Sequence, residues 1–463
     1  MVFLKNWGDI DERLDPAFYL NIMLLNKNIV SKSAYPVSTF KQQVSMQRGR
    51  FGHRPRNDPR YYDGAYPFIQ TGNIVKASTT NEKIEFTQTL NELGLSTSRL
   101  FEEKVVVITI AANIGYSAIL DYPACFPDSL VALTAKDNSI SLEYLNVYIR
   151  FIRDYIERLA PQAAQKNINL KQLGKLPIIV PNKDTQGIIV SIMEEAYTEK
   201  VKKEKEAQTL RESIDKDLLQ ELDITILIEK ESTLKSRAFY VDSSKVLGTR
   251  FDPYYHEPKF SDNLNVICNG KFTTISLRSA IEGELVKGIL PNVIEKTGEI
   301  KIVQISNINN DGTIDLSNNI TAKSIYSSKH KLVKGDVLVV ITGATIGKIG
   351  FWNYDEEYYL GGDLVKFNTG NYYLNTIYAA LLRTLPYQLQ IKRCITGATN
   401  GHLSLFDIGQ LPVPNISDKT VQKRIANQLE RARINIDTLI NDGNNILFNA
   451  KKLVEKILLG GNL

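Results

Sequence analysis

The chain has 463 residues, of which 43% are hydrophobic and 23% charged, enough for several buried cores and, by length, about three domains. Its formal net charge is only +5, so it is no polycation, and any contact with nucleic acid has to come from local basic surfaces. Cys125, Cys268 and Cys394 lie too far apart for a disulfide framework or a zinc cluster, so no metal site is expected and a reducing cytoplasm fits best.

The opening MVFLKNWGDIDERL reaches acidic residues before any apolar run, unlike a secretory leader. RLDPAFY, starting at Arg13, follows. Pro36, Pro55, Pro59 and Pro67 mark a loop-rich approach to the first sheet. Within it, residues 47–68 read QRGRFGHRPRNDPRYYDGAYPF, where Arg48, Arg50, Arg54, Arg56 and Arg60 alternate with Gly, Pro and aromatics. Arginine carries a planar fork of donors that matches phosphate and the guanine edge, so these residues are candidate DNA contacts. FIQTGNI from Phe68 reads as a strand carrying Gln70, Thr71 and Asn73, amide and hydroxyl side chains of the kind that address adenine.

Val105 to Leu120, including VVITIAANIG, is β-branched and 16 residues long, short of the ~20 needed to span a bilayer, so paired buried strands are expected and no membrane contact. An amphipathic helix is expected over Tyr144–Leu159, and the QAAQKNINL turn adds Gln165, Lys166 and Asn167 as candidate contacts. LGKLPIIVP then leads into a long helix from Asp184 to about Leu222, with Met193, Tyr197, Val201, Leu210, Ile214, Leu218 and Leu222 on one stripe.

The chain is then written a second time. RFDPYYH from Arg250, IVQISNI from Ile302, VVITGATIG ending at Gly347 and IGQLPVP from Ile408 repeat the first four landmarks in order, displaced by about 235 positions. That period is domain-sized, far beyond the 20–50 residues of solenoid repeats. Val337–Trp352 is the counterpart strand pair and Tyr373–Leu385 the counterpart helix. A second long helix carries Val421, Ile425, Leu429, Ala432, Ile436 and Leu439; Asp442-Gly443 interrupts it, and a short last helix is expected around Leu447, Val454 and Ile457. The second copy is less basic: GELVKGILPN offers only Lys287. Gln304, Ser306 and Asn307 match the polar residues of the first copy, and Lys348, Asn400 and His402 complete the candidate DNA contacts of the second.

The expected fold is therefore mixed α/β (α+β): two tandem repeated domains, residues 1–182 and 236–415, with long antiparallel spacer helices at 183–235 and 416–463 and an approximate internal two-fold. Met193, Tyr197, Val201, Leu210, Ile214, Leu218, Ile425, Leu429 and Ile436 are the candidate contact positions of these helices. At about 1.5 Å per residue, some 40 helical residues extend about 60 Å, long enough to separate two readers on one duplex.

Enzyme look-alikes fail on inspection. Asp252-Pro253-Tyr254-Tyr255 lacks the second proline of the methyltransferase D-P-P-Y loop, and its twin at Asp15 marks it as part of the repeat. Gly343 to Lys348 has one residue too few for a P-loop, and Ile349 stands where Ser or Thr is needed. Pro127-Asp128 has no nuclease E-x-K after it, and His53, His256, His330 and His402 lack metal-ligand spacing. No catalytic residue is expected.

RPRNDPRYYDGAYPFIQTGNI, the paired EKVVVITIAANIGYSAIL and GDVLVVITGATIGKIGFW, and the two lead-ins LGKLPIIVPNKDTQGIIVSIM and IGQLPVPNISDKTVQKRIANQL resemble, over essentially the whole chain, the specificity (S) subunit of Type I restriction-modification systems. The resemblance implies two target-recognition domains, each reading one half of a split, asymmetric double-stranded DNA target. It also implies two modification (DNA methyltransferase) subunits carrying S-adenosylmethionine, and restriction/translocase subunits using ATP and Mg2+, with no cofactor in this chain. Two other classes fit the residues: a stand-alone target-recognition or regulatory DNA-binding protein, and a coiled-coil adaptor whose repeated domains bind protein.

Overall fold

A computed structural model describes residues 25, 30–52, 58–160, 167–227, 238–247, 250–290, 294–295, 300–317, 320–322, 327–397 and 401–461. The chain forms two compact units, one of residues 1–206 with 438–463 and the other of residues 207–437, so each long helix contributes to both.

Among the described residues the first unit has ten strands: β1 (Val37–Thr39), β2 (Val44–Arg48), β3 (Tyr62–Phe68), β4 (Gln88–Leu90), β5 (Leu100–Phe101), β6 (Val105–Thr109), β7 (Ser117–Leu120), β8 (Ala124–Cys125), β9 (Leu130–Ala135) and β10 (Pro177–Ile179). They form one sheet in the order β2-β9-β6-β7, a second in the order β4-β3-β8-β5, and the pair β1-β10. Every residue of β6 is buried, because its two faces belong to two cores. Val106 and Ile108 pack, with Val131 and Leu133 of β9, into the core that holds the helices. Val105 and Val107 pack on the other face with Ala118, Leu130 and Phe126. Side chains alternate faces along a strand, so a strand buried on both sides has to be apolar throughout, which is why the VVVI run shows no polar alternation.

The second unit repeats this plan with β11 (Thr274–Ser276), β12 (Val286–Lys287), β13 (Ile294–Glu295), β14 (Ile300–Val303), β15 (Ile320–Ala322), β16 (Val337–Val340), β17 (Ile349–Phe351), β18 (Tyr359–Leu360), β19 (Leu364–Phe367) and β20 (Pro412–Pro414). Its sheets run β12-β19-β16-β17 and β13-β15-β14-β18, with the pair β11-β20. β16 again feeds two cores, Val337 and Val339 on one face and Leu338 and Val340 on the other. The two sheets differ at their edges: β5 adds to β8 in the first unit, whereas β13 adds to β15, the opposite edge, in the second.

Five helices matter to the site: α1 (Thr71–Thr80), α2 (Leu142–Phe151), α3 (Lys183–Glu221), α4 (Tyr372–Leu381) and α5 (Lys419–Leu458). The expected Tyr144–Leu159 helix is split, with a second short segment over Arg153–Glu157, and the Tyr373–Leu385 helix ends at Leu381 before another begins at Leu385. α5 is continuous through Asp442-Gly443, where a break and a separate short helix were expected. A helical glycine costs about 1 kcal/mol relative to alanine. Here Gly443 faces the backbone of Lys200 at van der Waals distance, and Asp442 pairs with Lys203 at 3.2 Å, so helix packing outweighs propensity.

Within each unit the two long helices run antiparallel. In the first, Ile189, Met193 and Tyr197 of α3 share a core with Ala450, Val454 and Ile457 of α5. In the second, Leu218 of α3 and Leu222 just after it meet Ile425 and Ala426 of α5, and Leu429 packs against them. Buried glutamines lock the helix starts. Gln186 donates to the carbonyls of Ser139 (2.7 Å) and Pro181 (2.8 Å) and accepts from the Ser141 amide at 2.9 Å. Gln422 donates to the Ile416 carbonyl at 2.6 Å and accepts from Asn371 at 2.8 Å. Tyr148 and Tyr378 donate in turn to the carbonyls of Pro177 and Pro414. No helix among the described residues is long and apolar enough to cross a membrane.

Candidate nucleic-acid interface

The strand registers decide which candidate residues can act together. In the first unit Arg48 pairs with Val131, Thr109 with Leu130 and Ile108 with Ser117, so the last residue of β2, the last of β6 and the first of β9 lie at one end of the sheet. The Gly49 amide donates to the Leu130 carbonyl at 2.9 Å, and the Arg50 amide to the Phe126 carbonyl at 3.0 Å. Asn167 bridges to Ala111 beyond the end of β6, and the Thr71 hydroxyl meets that of Ser129 at 3.2 Å. Arg48, Arg50, Thr71, Ser129 and Asn167, scattered over about 120 positions of sequence, thus converge on one sheet end.

Arg48 and Arg50 are exposed there. Arg48 donates to the Asp128 carbonyl at 2.5 Å, and Arg99 donates to the Arg48 carbonyl at 2.6 Å. Arg99 arrives by the bridge of Phe51 to Ser98, a non-local pairing that sequence patterning does not reveal. Arg60 differs: its guanidinium forks onto the Asp58 carboxylate, 2.7 Å at the closest, which holds its pKa above the ordinary value. Its charge is largely answered within the chain. Arg54, Arg56, Gln165 and Lys166 lie outside the described residues, as does the Arg13 copy of the RxDP motif.

Gln70, Thr71 and Asn73 are not strand residues, contrary to expectation. Gln70 precedes α1, and the Asn73 side chain accepts from the Gln70 amide at 2.8 Å. Gln304, Ser306 and Asn307 do the same at a short 3-10 turn, where the Asn307 side chain accepts from the Gln304 amide, also at 2.8 Å. A side-chain oxygen that answers an unpaired amide at a helix start explains the repeated Q-x-x-N spacing. Gln70 spends its amide on Gln88, and Asn307 is buried and donates to the Asp315 carbonyl.

The second unit assembles the equivalent end. Lys287 pairs with Val365, Val340 with Leu364 and Val339 with Ile349. The Gly288 amide donates to the Leu364 carbonyl at 2.8 Å and the Ile289 amide to the Leu360 carbonyl at 3.3 Å, the same two contacts that Gly49 and Arg50 make. Lys287 therefore stands where the first unit has Arg48, and Ile289 where it has Arg50. His402 bridges to Thr342 beyond β16, and the Leu403 amide reaches the Ile341 carbonyl as the Ile168 amide reaches that of Ile110. Lys348 turns back and donates to the Ile308 carbonyl at 3.3 Å. Asn400 lies outside the described residues. The Ile-Gly repeated in the turn has its own cause: Gly115 and Gly347 have φ of +82° and +88°, and each amide closes the turn onto its β6 or β16 strand.

Arg250 of the RFDPYYH motif pairs with Asp407 at 2.6 Å and donates to the Cys394 carbonyl, tying the start of the copy to its end. Among the described residues no cluster of His, Cys, Asp or Glu is arranged to hold a metal. Met193, Tyr197, Val201, Leu218, Ile425 and Ile436 are buried within the chain, and Leu210, Ile214 and Leu429 are half-buried. Met193 and Tyr197 belong to the core of the first unit, and Leu218, Ile425 and Leu429 to that of the second, while Ile188, Ile434 and Phe448 are large apolar residues that these helices expose.

Each unit thus repeats one mixed fold with a sheet end that carries candidate contact residues, and each holds part of both long helices. Residues 50–210 match the family model described as the Type I restriction modification DNA specificity domain. That match covers about a third of the chain, so what it supports is a DNA specificity domain within residues 50–210. Among solved structures it is similar to the Type I S subunit from M. genitalium, at 14% identity over 94% of this chain and 97% of that one, with a TM-score of 0.45. A structure on complex assembly and conformational transition of the type I R-M system aligns at 14% identity over 92% and 96%, with a TM-score of 0.44. The HsdS subunit from Thermoanaerobacter tengcongensis aligns at 13% over 92% and 97%, with a TM-score of 0.32. The likeness of residues 50–210 to a DNA specificity domain rests on the family match, not on these superpositions.

Proposed function

We propose that each copy reads one half of a bipartite, asymmetric DNA target through the sheet end that carries Arg48 and Arg50 in one unit and Lys287 in the other. The convergence of those residues by strand register, in both copies, supports this reading above all else. Arginine and lysine there would fix the protein on phosphates, and the neighbouring uncharged side chains would meet base edges. The chain would itself be non-catalytic: adenine methylation would come from two modification subunits holding S-adenosylmethionine, and cleavage from ATP- and Mg2+-dependent restriction subunits. α3, about 60 Å long at 1.5 Å per residue, would set the spacing of the two halves.

Mapping methylated adenines in the source genome tests this. A split motif that disappears on deletion of the gene and returns on complementation is the expected result. A methylome indifferent to the gene would remove the methylation role, and a chain that binds no DNA would leave the adaptor reading. Inserting one helical turn into α3 should lengthen the spacer by one or two base pairs; an unchanged spacer contradicts the ruler.

A further inference from the structure

The two sheet ends occupy equivalent places but differ in chemistry. After the shared glycine, the first unit presents Arg50 and then Phe51, which is 2% exposed, whereas the second presents Ile289 and Leu290, 39% and 67% exposed. Single exposed leucines are common and mean nothing alone. Leu290 differs in being held. In the first unit the segment before β9 reads Pro127-Asp128-Ser129; in the second the segment before β19 is Gly361-Gly362-Asp363. Ile289 bridges to Gly361, and a Cβ built on Gly362 would lie 2.8–3.0 Å from the backbone and Cβ of Leu290. Gly362 is needed for this approach, and Gly361 for the close approach of the Val303 carbonyl beside it. The backbone under Leu290 is therefore fixed while its side chain faces solvent.

Its surroundings define what it can touch. Ile289 removes the cation that Arg50 supplies, and Asp363, whose carboxylate accepts from the Thr342 hydroxyl at 2.6 Å, brings a negative charge where the first unit has Ser129. A phosphate is disfavoured beside that carboxylate, and Lys287 remains as the cation that keeps the strand end near the backbone of the duplex. An uncharged apolar group next to a phosphate-binding cation is the geometry for a base edge, and the apolar group that DNA offers in its major groove is the 5-methyl of thymine.

We infer that Leu290 is a specificity-determining residue that packs on a thymine methyl group in the half-target read by the second copy. The inference rests on the proposed function, and its test separates the two. The probe is a duplex carrying the motif defined by the methylome, with the thymines of one half or the other replaced by deoxyuridine, titrated with the full-length chain. Replacement in the second copy's half should weaken binding about threefold to fourfold, the worth of one buried methyl, at one thymine position. Leu290→Ala should weaken binding to the thymine duplex by a similar factor and abolish the difference between thymine and uracil, with an unchanged melting temperature. Lys287→Ala should instead weaken both duplexes equally and flatten the salt dependence. Tight, motif-specific binding that is blind to deoxyuridine, or that keeps its thymine preference in Leu290→Ala, overturns the inference and leaves the proposed function standing. Absence of motif-specific binding by the wild-type chain overturns both.

Discussion

The two copies agree where they are buried and part company where they are exposed. Gln186 and Gln422 lock the starts of α3 and α5, and Tyr148 and Tyr378 reach the carbonyls of β10 and β20. At the sheet ends Ile289 stands in the second copy where the first has Arg50, and Asp363 where it has Ser129. A buried polar group that loses its partner costs a few kcal/mol, whereas an exposed side chain changes at almost no cost to the fold. A duplicated frame can therefore hold its interior and vary its reading surface, which is what two different half-targets require.

One buried position departs from this rule. Arg150, which ends α2 and is 6% exposed, donates to Asn81 Oδ1 at 2.8 Å and to the Ser78 carbonyl at 2.7 Å, and its guanidinium lies 3.4 Å from the centre of the Tyr197 ring. Burial pulls its pKa below the usual arginine value. The second copy has Ala380 at the matching position; its Arg383, after α4, shares a cavity of about 920 Å³ with Asp215, Asp311 and Arg433, and its pKa is likewise lowered by burial. One arginine is riveted by named partners and the other stands beside open volume.

That contrast supplies the largest expected effect. Arg150→Ala strands two acceptors and a ring face and should destabilise the first unit by about 3 kcal/mol, while Arg383→Ala should cost clearly less; denaturant midpoints of the two variants measure the difference. Equal losses would show that the cavity-side arginine is held as firmly as Arg150. Gln186→Ala and Gln422→Ala test the shared interior, each at about 2 kcal/mol by thermal melting. A negligible loss at either would break the equivalence of the helix locks.

The exposed comparison is sharpened by binding. Arg48→Ala with Arg50→Ala should lower DNA affinity tenfold or more and reduce the log–log salt slope by about two, whereas Lys287→Ala should reduce it by about one. Equal slopes for the two variants would contradict the assignment of two cations to one end and one to the other. The smallest effect is at Glu221, whose carboxyl is held down to about 2 by Arg424 first and Lys271 second. Its folded-state pKa lies below its unfolded value, so its contribution is complete above about pH 4.5 and is lost as the pH falls toward 2. The group is partly exposed, so Glu221→Gln should cost under about 1 kcal/mol at neutral pH, with the gap to wild type closing in acid.

Most of the fold was legible because its periodicities are strong. VVVI and VLVV are apolar at every position because each strand has a core on both faces, and the stripes of α3 and α5 recur at helical spacing. What escaped depends on contacts remote in sequence. Gly443 reads as a break until Lys200 is placed against it, and Gln70 and Asn73 read as strand residues until a helix start is seen to need the asparagine oxygen. Arg99 joins the cationic end only through pairing of Ser98 with Phe51. The site was legible as residue types, but not as a set, because register alone brings Arg48, Ser129 and Asn167 together.

Hydrogen–deuterium exchange of the full-length chain, with and without a duplex bearing its methylated motif, addresses the central claim most directly. The account predicts added protection at residues 48–51, 129–131 and 167–168 of the first copy and at 287–290, 361–364 and 402–403 of the second. Protection confined to one copy, or falling on the opposite ends of the sheets around Val44, Ala135 and Leu120, would contradict it.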